Sequence, residues 1–342
     1  MRSAVSNSSR LRALLLLLAF SLLALPGCDW IPPSPRGSLH GATLSFQGPA
    51  LELALAVEKG EIEAITRLVE GGVDPDTVFS STSNEPLVAW AIRVQQPASL
   101  QRLLELGADP NVVKPAKSDD GLPLTHFGAM AAAVEAEDPQ YLDILLAHGG
   151  DPNQRVVARD TLMKHAFFYR NWAHIQRLIL GGADINARDE TGNTILEVFA
   201  GFGSFERAYW LLEHGADPMP PQRQSAPKGP DGQPIPQPQM PPGMNRWVRY
   251  DAQGREMWEP NTNIVNNIFW HPGSSNPESP WQRRCQEWLL VRGIQRPPVM
   301  PEYLRRDRVR FGLPSREEDI PLPEITPEMR EGIEPYVWKA PE

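Results

Sequence analysis

The chain has 342 residues, 41% of them hydrophobic, with 33 Lys and Arg against 42 Asp and Glu for a formal charge of −9. That length holds one or two domains and a sizeable core. The acidic balance argues against a nucleic-acid-binding role, which needs a basic footprint, and suits a basic protein partner instead.

The chain opens with Arg2, Arg10 and Arg12 and no acid, followed by an almost wholly apolar stretch from Ala13 to Leu25. This is the pattern of a secretory signal peptide over residues 1–27, with an apolar core too short to read as a membrane span. The tetrapeptide Leu25-Pro26-Gly27-Cys28 resembles a bacterial lipobox, with Gly27 as the small residue before the Cys. The resemblance implies that Cys28 is acylated and becomes the first mature residue. Asp29 next to it implies retention at the inner membrane, facing the periplasm. The alternative is an ordinary cleaved signal with an incidental Cys. Removal of three Arg and no acid takes the formal charge from −9 to −12. With Cys28 acylated, Cys285 is the one unmodified thiol and no intrachain disulfide can form. Residues 28–48, rich in Pro, Ser and Gly, read as a tether.

From residue 49 to 219 one phrase recurs: Gly72-Val73-Asp74-Pro75-Asp76, Gly107-Ala108-Asp109-Pro110-Asn111, Gly149-Gly150-Asp151-Pro152-Asn153, Gly182-Ala183-Asp184-Ile185-Asn186 and Gly215-Ala216-Asp217-Pro218-Met219. The Asp residues are spaced by 35, 42, 33 and 33, the mark of a repeat array. Before each phrase lies an apolar pair at helical spacing: Leu68-Val69, Leu103-Leu104, Leu145-Leu146, Leu178-Ile179 and Leu211-Leu212. The Gly suits a left-handed residue after a helix. In four copies an Asp-Pro step then biases the chain toward an extended path. Each unit reads as helix, turn, helix and projecting turn. Leu51 and Ile65 start the first unit, Trp90 lies on the first helix of the second, and Gly128–Ala136 makes an Ala-rich helix in the third. The fourth carries Phe167, Phe168, Tyr169 and Trp172; the fifth carries Phe199, Phe202, Phe205, Tyr209 and Trp210.

The phrase and its period resemble the ankyrin repeat, most clearly over Gly192–Met219, although Ile195 and Glu197 depart from the family's Thr-Pro-Leu-His opening. The resemblance implies an all-α ankyrin-repeat solenoid of five clear repeats. It also implies a protein partner held by the concave face and turn tips.

Past Met219 the period stops, and residues 218–243 hold ten Pro. We read 220–261 as a Pro-rich insertion of polyproline type outside the core, with a β-hairpin pairing Trp247–Tyr250 and Arg255–Trp258 through a turn at Gly254. Asn263–Trp270 and a run opened by Ser279-Pro280 read as two helices. They make 262–295 a degenerate sixth unit. Residues 296–342 form a Pro-rich charged tail whose Arg305, Arg306, Arg308 and Arg310 read as self-paired or solvated.

No nucleophile elbow, phosphate loop or metal-ligand spacing occurs, so the sequence predicts no catalysis, no cofactor, no metal and no small-molecule substrate. His148 and His214 suit helix C-termini; His126, His165 and His174 lack ligand spacing. The candidate partner-binding residues are the turn-tip charges Lys114, Lys117, Asp119, Asp120, Arg159, Asp160, Arg188 and Glu190, with Tyr169, Trp172 and Phe202 as aromatic anchors. Phe167, Phe205 and Trp210 are assigned to the core.

The expected function is a lipid-anchored, periplasm-facing binding module. Glu137–Leu142 followed by Gly149–Asn153 resembles secreted bacterial ankyrin proteins, some of which are immunity proteins against secreted antibacterial lipases of the type VI kind. That resemblance implies a secreted effector as partner. An envelope or stress-response scaffold is the second class, and an enzyme within 219–342 the third.

Overall fold

A computed structural model describes residues 41–113, 128–156, 160–237, 240, 243–273 and 279–341. Cys28, Asp29, Lys114, Lys117, Asp119, Asp120, His126 and Arg159 lie outside the described residues. The chain divides into two units, Met1–Gly41 and Ala42–Glu342. Only Gly41 of the first is described.

The second unit is mostly helical. A short helix α1 (Ala42–Ser45) precedes six helix pairs: α2 (Pro49–Lys59) with α3 (Ile62–Glu70), α4 (Leu87–Arg93) with α5 (Pro97–Glu105), α6 (Ala129–Glu135) with α7 (Gln140–Ala147), α8 (Leu162–Phe168) with α9 (Trp172–Leu180), α10 (Ile195–Gly201) with α11 (Phe205–Glu213), and α12 (Asn263–Trp270) with α13 (Pro280–Val291). A last helix, α14, spans Glu302–Arg310. First helices pack on first helices, as α2 on α4, α4 on α6 and α6 on α8. Second helices pack on second helices, as α3 on α5, α5 on α7 and α7 on α9. None of the described helices is long and apolar enough to cross a membrane.

Helices this short are marginal alone, and stacking supplies what they lack. Leu53, Leu87, Met130, Leu162 and Leu196 on first helices and Ile65, Leu103, Leu145, Leu178 and Leu211 on second helices are buried in one continuous core. The end of each second helix is closed by the phrase glycine, with φ of 99°, 95°, 86°, 98° and 93° at Gly72, Gly107, Gly149, Gly182 and Gly215. The amide after it donates back into the last turn, as Ala183 N to Leu178 O at 2.9 Å and Ala216 N to Leu211 O at 3.0 Å.

The phrase also joins one unit to the next. Each Asp accepts the amide two residues on, forming an Asx turn: Asp109 from Asn111 at 2.8 Å, Asp151 from Asn153 at 2.8 Å, Asp184 from Asn186 at 2.9 Å. The fifth residue then reaches across. Asn111 Oδ1 accepts from Asp151 N at 2.7 Å while its Nδ2 donates to Gly149 O at 2.9 Å. Asn153 repeats this with Asp184 N and Gly182 O, and Asn186 with Asp217 N and Gly215 O. The result is a ladder of amide side chains along the turns.

The first rung differs. Asp76 Oδ1 accepts from Asp109 N at 2.9 Å, but a carboxylate has no N–H to give the Gly107 carbonyl. Burial pushes the Asp76 carboxyl above its ordinary value, against the Asp109 amide, and Asp74 and Asp109 add repulsion. A raised carboxyl destabilises the folded chain once ionised, so the penalty at Asp76 is absent below the unfolded-state pKa and complete once pH has risen through the folded one, even though the bond from the Asp109 amide favours the charge. Asp76→Asn removes the charge and supplies the missing donor. We expect a gain of about 0.5–1.5 kcal/mol at neutral pH, read by urea unfolding. The gain should shrink in acid; an unchanged or lower midpoint would contradict the rung.

Two stretches carry structure that the sequence reading left open. The Pro-rich insertion stays outside the continuous core, but it is not all irregular. Strand β3 (Pro221–Arg223) pairs antiparallel with β4 (Trp258–Pro260), and the chain continues to a bridge between Ser225 and Val248. Ala226, Val248 and Tyr250 are buried within the insertion itself, apart from the continuous core. Prolines at the start or edge of a strand need no donor there, which is how Pro221 and Pro260 sit opposite each other. The hairpin turn does close at Asp251–Arg255, with Gly254 at φ 76° and Asp251 N bonded to Arg255 O at 2.9 Å. The tail packs back on the helices. Helix α14 lies on α12, with Leu304 buried and Arg308 donating to the carbonyls of Pro314 and Trp270. Arg305 pairs with Glu317. Farther on, Tyr336 N bonds Arg292 O at 2.9 Å and its hydroxyl donates to Asp217 Oδ1 at 2.7 Å. Burial and that carboxylate push the Tyr336 hydroxyl pKa well up. Met219 ends the amide ladder, and Tyr336 occupies the end of the row.

Candidate partner-binding face

The first helices end in a tight turn in which an amide reaches back to the last helical turn: Glu61 N to Ala56 O, Gln96 N to Ala91 O, Asn171 N to Ala166 O and Ser204 N to Phe199 O. Counting from these turns, Glu58, Arg93, Phe168 and Gly201 hold equivalent positions, and Glu135 ends α6 in the same row. One turn earlier come Ala54, Ala89, Ala131, Lys164 and Glu197. These two rows form one edge of the first helices.

The charges along this edge are committed inside the chain. Glu58 accepts from Ala42 N at 2.8 Å. Arg93 pairs with the buried Glu85 at 2.7 Å. His165 Nε2 lies 2.8 Å from Glu135. Lys164 Nζ lies 2.6 Å from Asp189, whose side chain is 3% exposed. Glu197 is buried and accepts from Asn263 Nδ2 at 3.0 Å and Asn261 Nδ2 at 3.2 Å. Burial alone would raise Asp189. The bonds from Lys164, Thr191 and the Asn193 amide outweigh it and hold the carboxyl below its usual range. Asp160, buried beside it, is pushed up by burial and by the Asp189 charge.

At the ends of the fourth and fifth first helices two rings face outward, Phe168 in the edge row and Phe202 one residue past it. Phe168 is 45% and Phe202 67% exposed. Both rings rest on Phe167, at centroid distances of 6.0 Å and 5.5 Å, so they form one patch. Behind it a relay of rings runs through the buried Phe199 to the half-buried tryptophans: Phe167 to Phe199 at 5.4 Å, Phe199 to Trp172 at 5.3 Å, and Trp172 to Trp210 at 5.4 Å. Lys164 Nζ sits 5.6 Å over Phe168. The patch is therefore backed by fixed groups and bordered by a cation.

The sequence-predicted residues separate accordingly. Phe202 and Glu190 are exposed, Tyr169 is half-buried against His165, and Trp172 is half-buried inside the ring relay. Asp160 and Arg188 are not free turn tips. Asp160 sits in a two-residue strand, β2 (Asp160–Thr161), paired with β1 (Arg155–Val156), and accepts from the Glu190 amide. Arg188 donates to the carbonyls of Gly192 and Pro221 and so ties the turn to β3. Charge at a turn reads as a tip until the neighbouring unit supplies its partner. Phe168 carries the patch but was absent from the predicted anchors; its spacing of four from Lys164 and its place in a Phe-Phe pair were the available signals.

His148 and His214 place Nδ1 2.9 Å and 2.7 Å from the carbonyls of Ile144 and Trp210, so they close helix ends. His174 is buried, and burial lowers its pKa. The described residues hold no group of His, Cys, Asp and Glu arranged for a metal. Cys285 is buried with its thiol pKa pushed far up, which leaves it unreactive. No protein-family model matches the chain, and no curated protein matches it.

Proposed function

We propose that the chain is an ankyrin-type repeat array that binds a protein at the C-terminal ends of its fourth and fifth first helices, with Phe168 and Phe202 as anchors. In this reading Cys28 acylation holds it on the periplasmic face of the inner membrane, and it performs no chemistry. The observation that carries the reading is the outward Phe168–Phe167–Phe202 patch, set among charges that are already paired within the chain. Aromatic anchors on a rigid support supply most of the energy of many interfaces, while charges already satisfied contribute little. The regular period, the left-handed glycines and the amide ladder support the ankyrin-type assignment.

The test uses the full chain as bait in solubilised envelope, beside a Phe168→Asp/Phe202→Asp variant. Both side chains are exposed, so the variant should melt with the parent. Burying a carboxylate at each anchor should weaken capture of the partner by about 2–4 kcal/mol, which is loss of the complex in a pull-down. Equal capture by both chains would defeat the assignment.

A further inference from the structure

A second exposed patch lies on the β insertion, remote in sequence from the aromatic edge. Trp247 is 42% exposed, Met244 52% and Ile235 49%. Backbone bonds bring them together: Ala226 N to Trp247 O at 2.8 Å, and Ile235 N to Pro227 O at 2.7 Å. Residues 247 and 249 are exposed, while Val248 and Tyr250, the alternate positions, which bridge Ser225 and Glu256, are buried. Trp247 is flanked by two cations. Lys228 Nζ lies 5.6 Å from the ring centroid, and the Arg246 guanidinium carbon 5.2 Å. Arg249 is exposed on the same side of the strand.

The charge arrangement is the informative part. Every cation elsewhere in the insertion has a carboxylate: Arg223 has Glu256 at 2.7 Å, and Arg255 has Asp251 at 2.8 Å. Among the described residues no carboxylate lies within ion-pair distance of Lys228, Arg246 or Arg249. Of the remaining acids, Glu259 bonds Gln222, and Asp231, in the turn after Lys228, accepts from the Gln233 amide. In a chain of formal charge −9, an indole with two outward apolar neighbours and three uncommitted cations is a local reversal of sign.

We propose that this patch docks on an anionic bilayer surface. Trp prefers the level of the lipid headgroups, where its ring is apolar and its N–H stays wet. Met244 and Ile235 supply side chains for the acyl boundary, and Lys228, Arg246 and Arg249 face anionic headgroups. The surface is small, so docking is weak and reversible, and it fixes which face of the chain meets the bilayer. This goes beyond the partner-binding reading and is independent of it, because the two patches share no residue. It also stands whether or not Cys28 is acylated.

The test reads the patch itself. A Met244→Cys substitution in the full chain carrying Cys28→Ala offers one reactive thiol for an environment-sensitive dye, since Cys285 is buried. A Leu180→Cys chain, labelled at an exposed position on a second helix, is the control. On vesicles of phosphatidylcholine with phosphatidylglycerol, dye at 244 should shift to the blue and be quenched by lipid-borne quenchers, while dye at 180 should not. Each cation removed, as Lys228→Ala or Arg246→Ala, should lower the contact about fivefold, the equivalent of about 1 kcal/mol. Vesicles of phosphatidylcholine alone, or about 1 M salt, should abolish it. Dye at 244 that stays aqueous, or contact unaffected by both substitutions, overturns the proposal. Unchanged melting of the alanine variants shows that any loss comes from the surface and not from unfolding.

Discussion

Phe199→Ala should lower the unfolding free energy by about 3–5 kcal/mol, the usual result of emptying a Phe site in a packed core. It should also split one unfolding transition into two. Phe199 is 1% exposed and meets Phe167 and Trp172 edge-on, at 5.4 Å and 5.3 Å. Its position in the array makes the second effect. Backbones of neighbouring helices elsewhere approach closely, as α6 does α8 and α11 does α13, but α8 with α10 and α9 with α11 do not stand among these close pairs. Rings fill that space: Phe167, Phe199, Trp172 and Trp210, with the Arg207 guanidinium 5.5 Å over Phe199. In an array where each unit touches its neighbours, the interface energy is what makes the units unfold together. Removing the central ring cuts that coupling between the fourth and fifth pairs. Urea unfolding followed by circular dichroism and by Trp fluorescence should give coincident midpoints in the parent and separate ones in the variant, with a lower apparent m-value. Phe202→Ala, which removes an exposed ring, should change stability by well under half as much. A single unshifted transition in Phe199→Ala would show that the joint is held by something other than these rings.

The sequence made the helix pairs and their closing turns readable because each depends on neighbours within a few residues. An apolar pair, a Gly and an Asp-Pro step suffice to place the end of α7 or α11. The cross-unit bonds are another matter. Asn153 reads as a turn residue, and nothing beside it says that its amide serves Asp184 and Gly182, about one period away. Asp160 and Arg188 read as tips for the same reason, since their partners Glu190 and Pro221 lie some thirty residues on. The pairing of Pro221–Arg223 with Trp258–Pro260 was hidden because proline content argues against strands, although it forbids only donation. Helix α14 went unread as well. Its Arg-rich sequence shows no apolar stripe, and it holds its place with Leu304 and with an Arg308 side chain whose charge is spent on two backbone carbonyls. Part of the aromatic patch was legible in Phe202. The remainder, Phe168, emerges only when the charges around it are seen to be paired.

Lys164→Met should be the most damaging single change to a charged residue near that edge. At neutral pH it should cost about 3–5 kcal/mol, the usual penalty for leaving a buried charge without its partner. Lys164 Nζ is 2.6 Å from Asp189 Oδ2, and the side chains are 15% and 3% exposed. Asp160, 9% exposed, adds a second buried carboxyl that Lys164 attracts and Asp189 repels. Met keeps most of the volume, so the loss is electrostatic. The pH dependence gives the cause away. In the parent, Asp189 is held below its ordinary value. It therefore adds stability above the unfolded pKa, and that contribution is lost as pH falls through the folded one. Asp160 is raised, so its penalty is present at neutral pH and relieved as pH falls. Without Lys164, Asp189 should join Asp160 in the raised class, and both should prefer to fold protonated. The deficit of the variant should then be largest near pH 7 and shrink steadily toward pH 4, a range in which ordinary carboxyls begin to take up protons. His174 and His271, both lowered by burial, weaken parent and variant alike as pH falls, so the difference between the two chains removes them. Adding Asp189→Asn to Lys164→Met should recover much of the loss at pH 7, because the side chain keeps its shape and its bonding to Thr191 while the stranded charge is gone. A deficit that is flat across this pH range, or a double variant no more stable than the single one, would mean that Lys164 acts by packing over Phe168 and not by neutralising the buried pair.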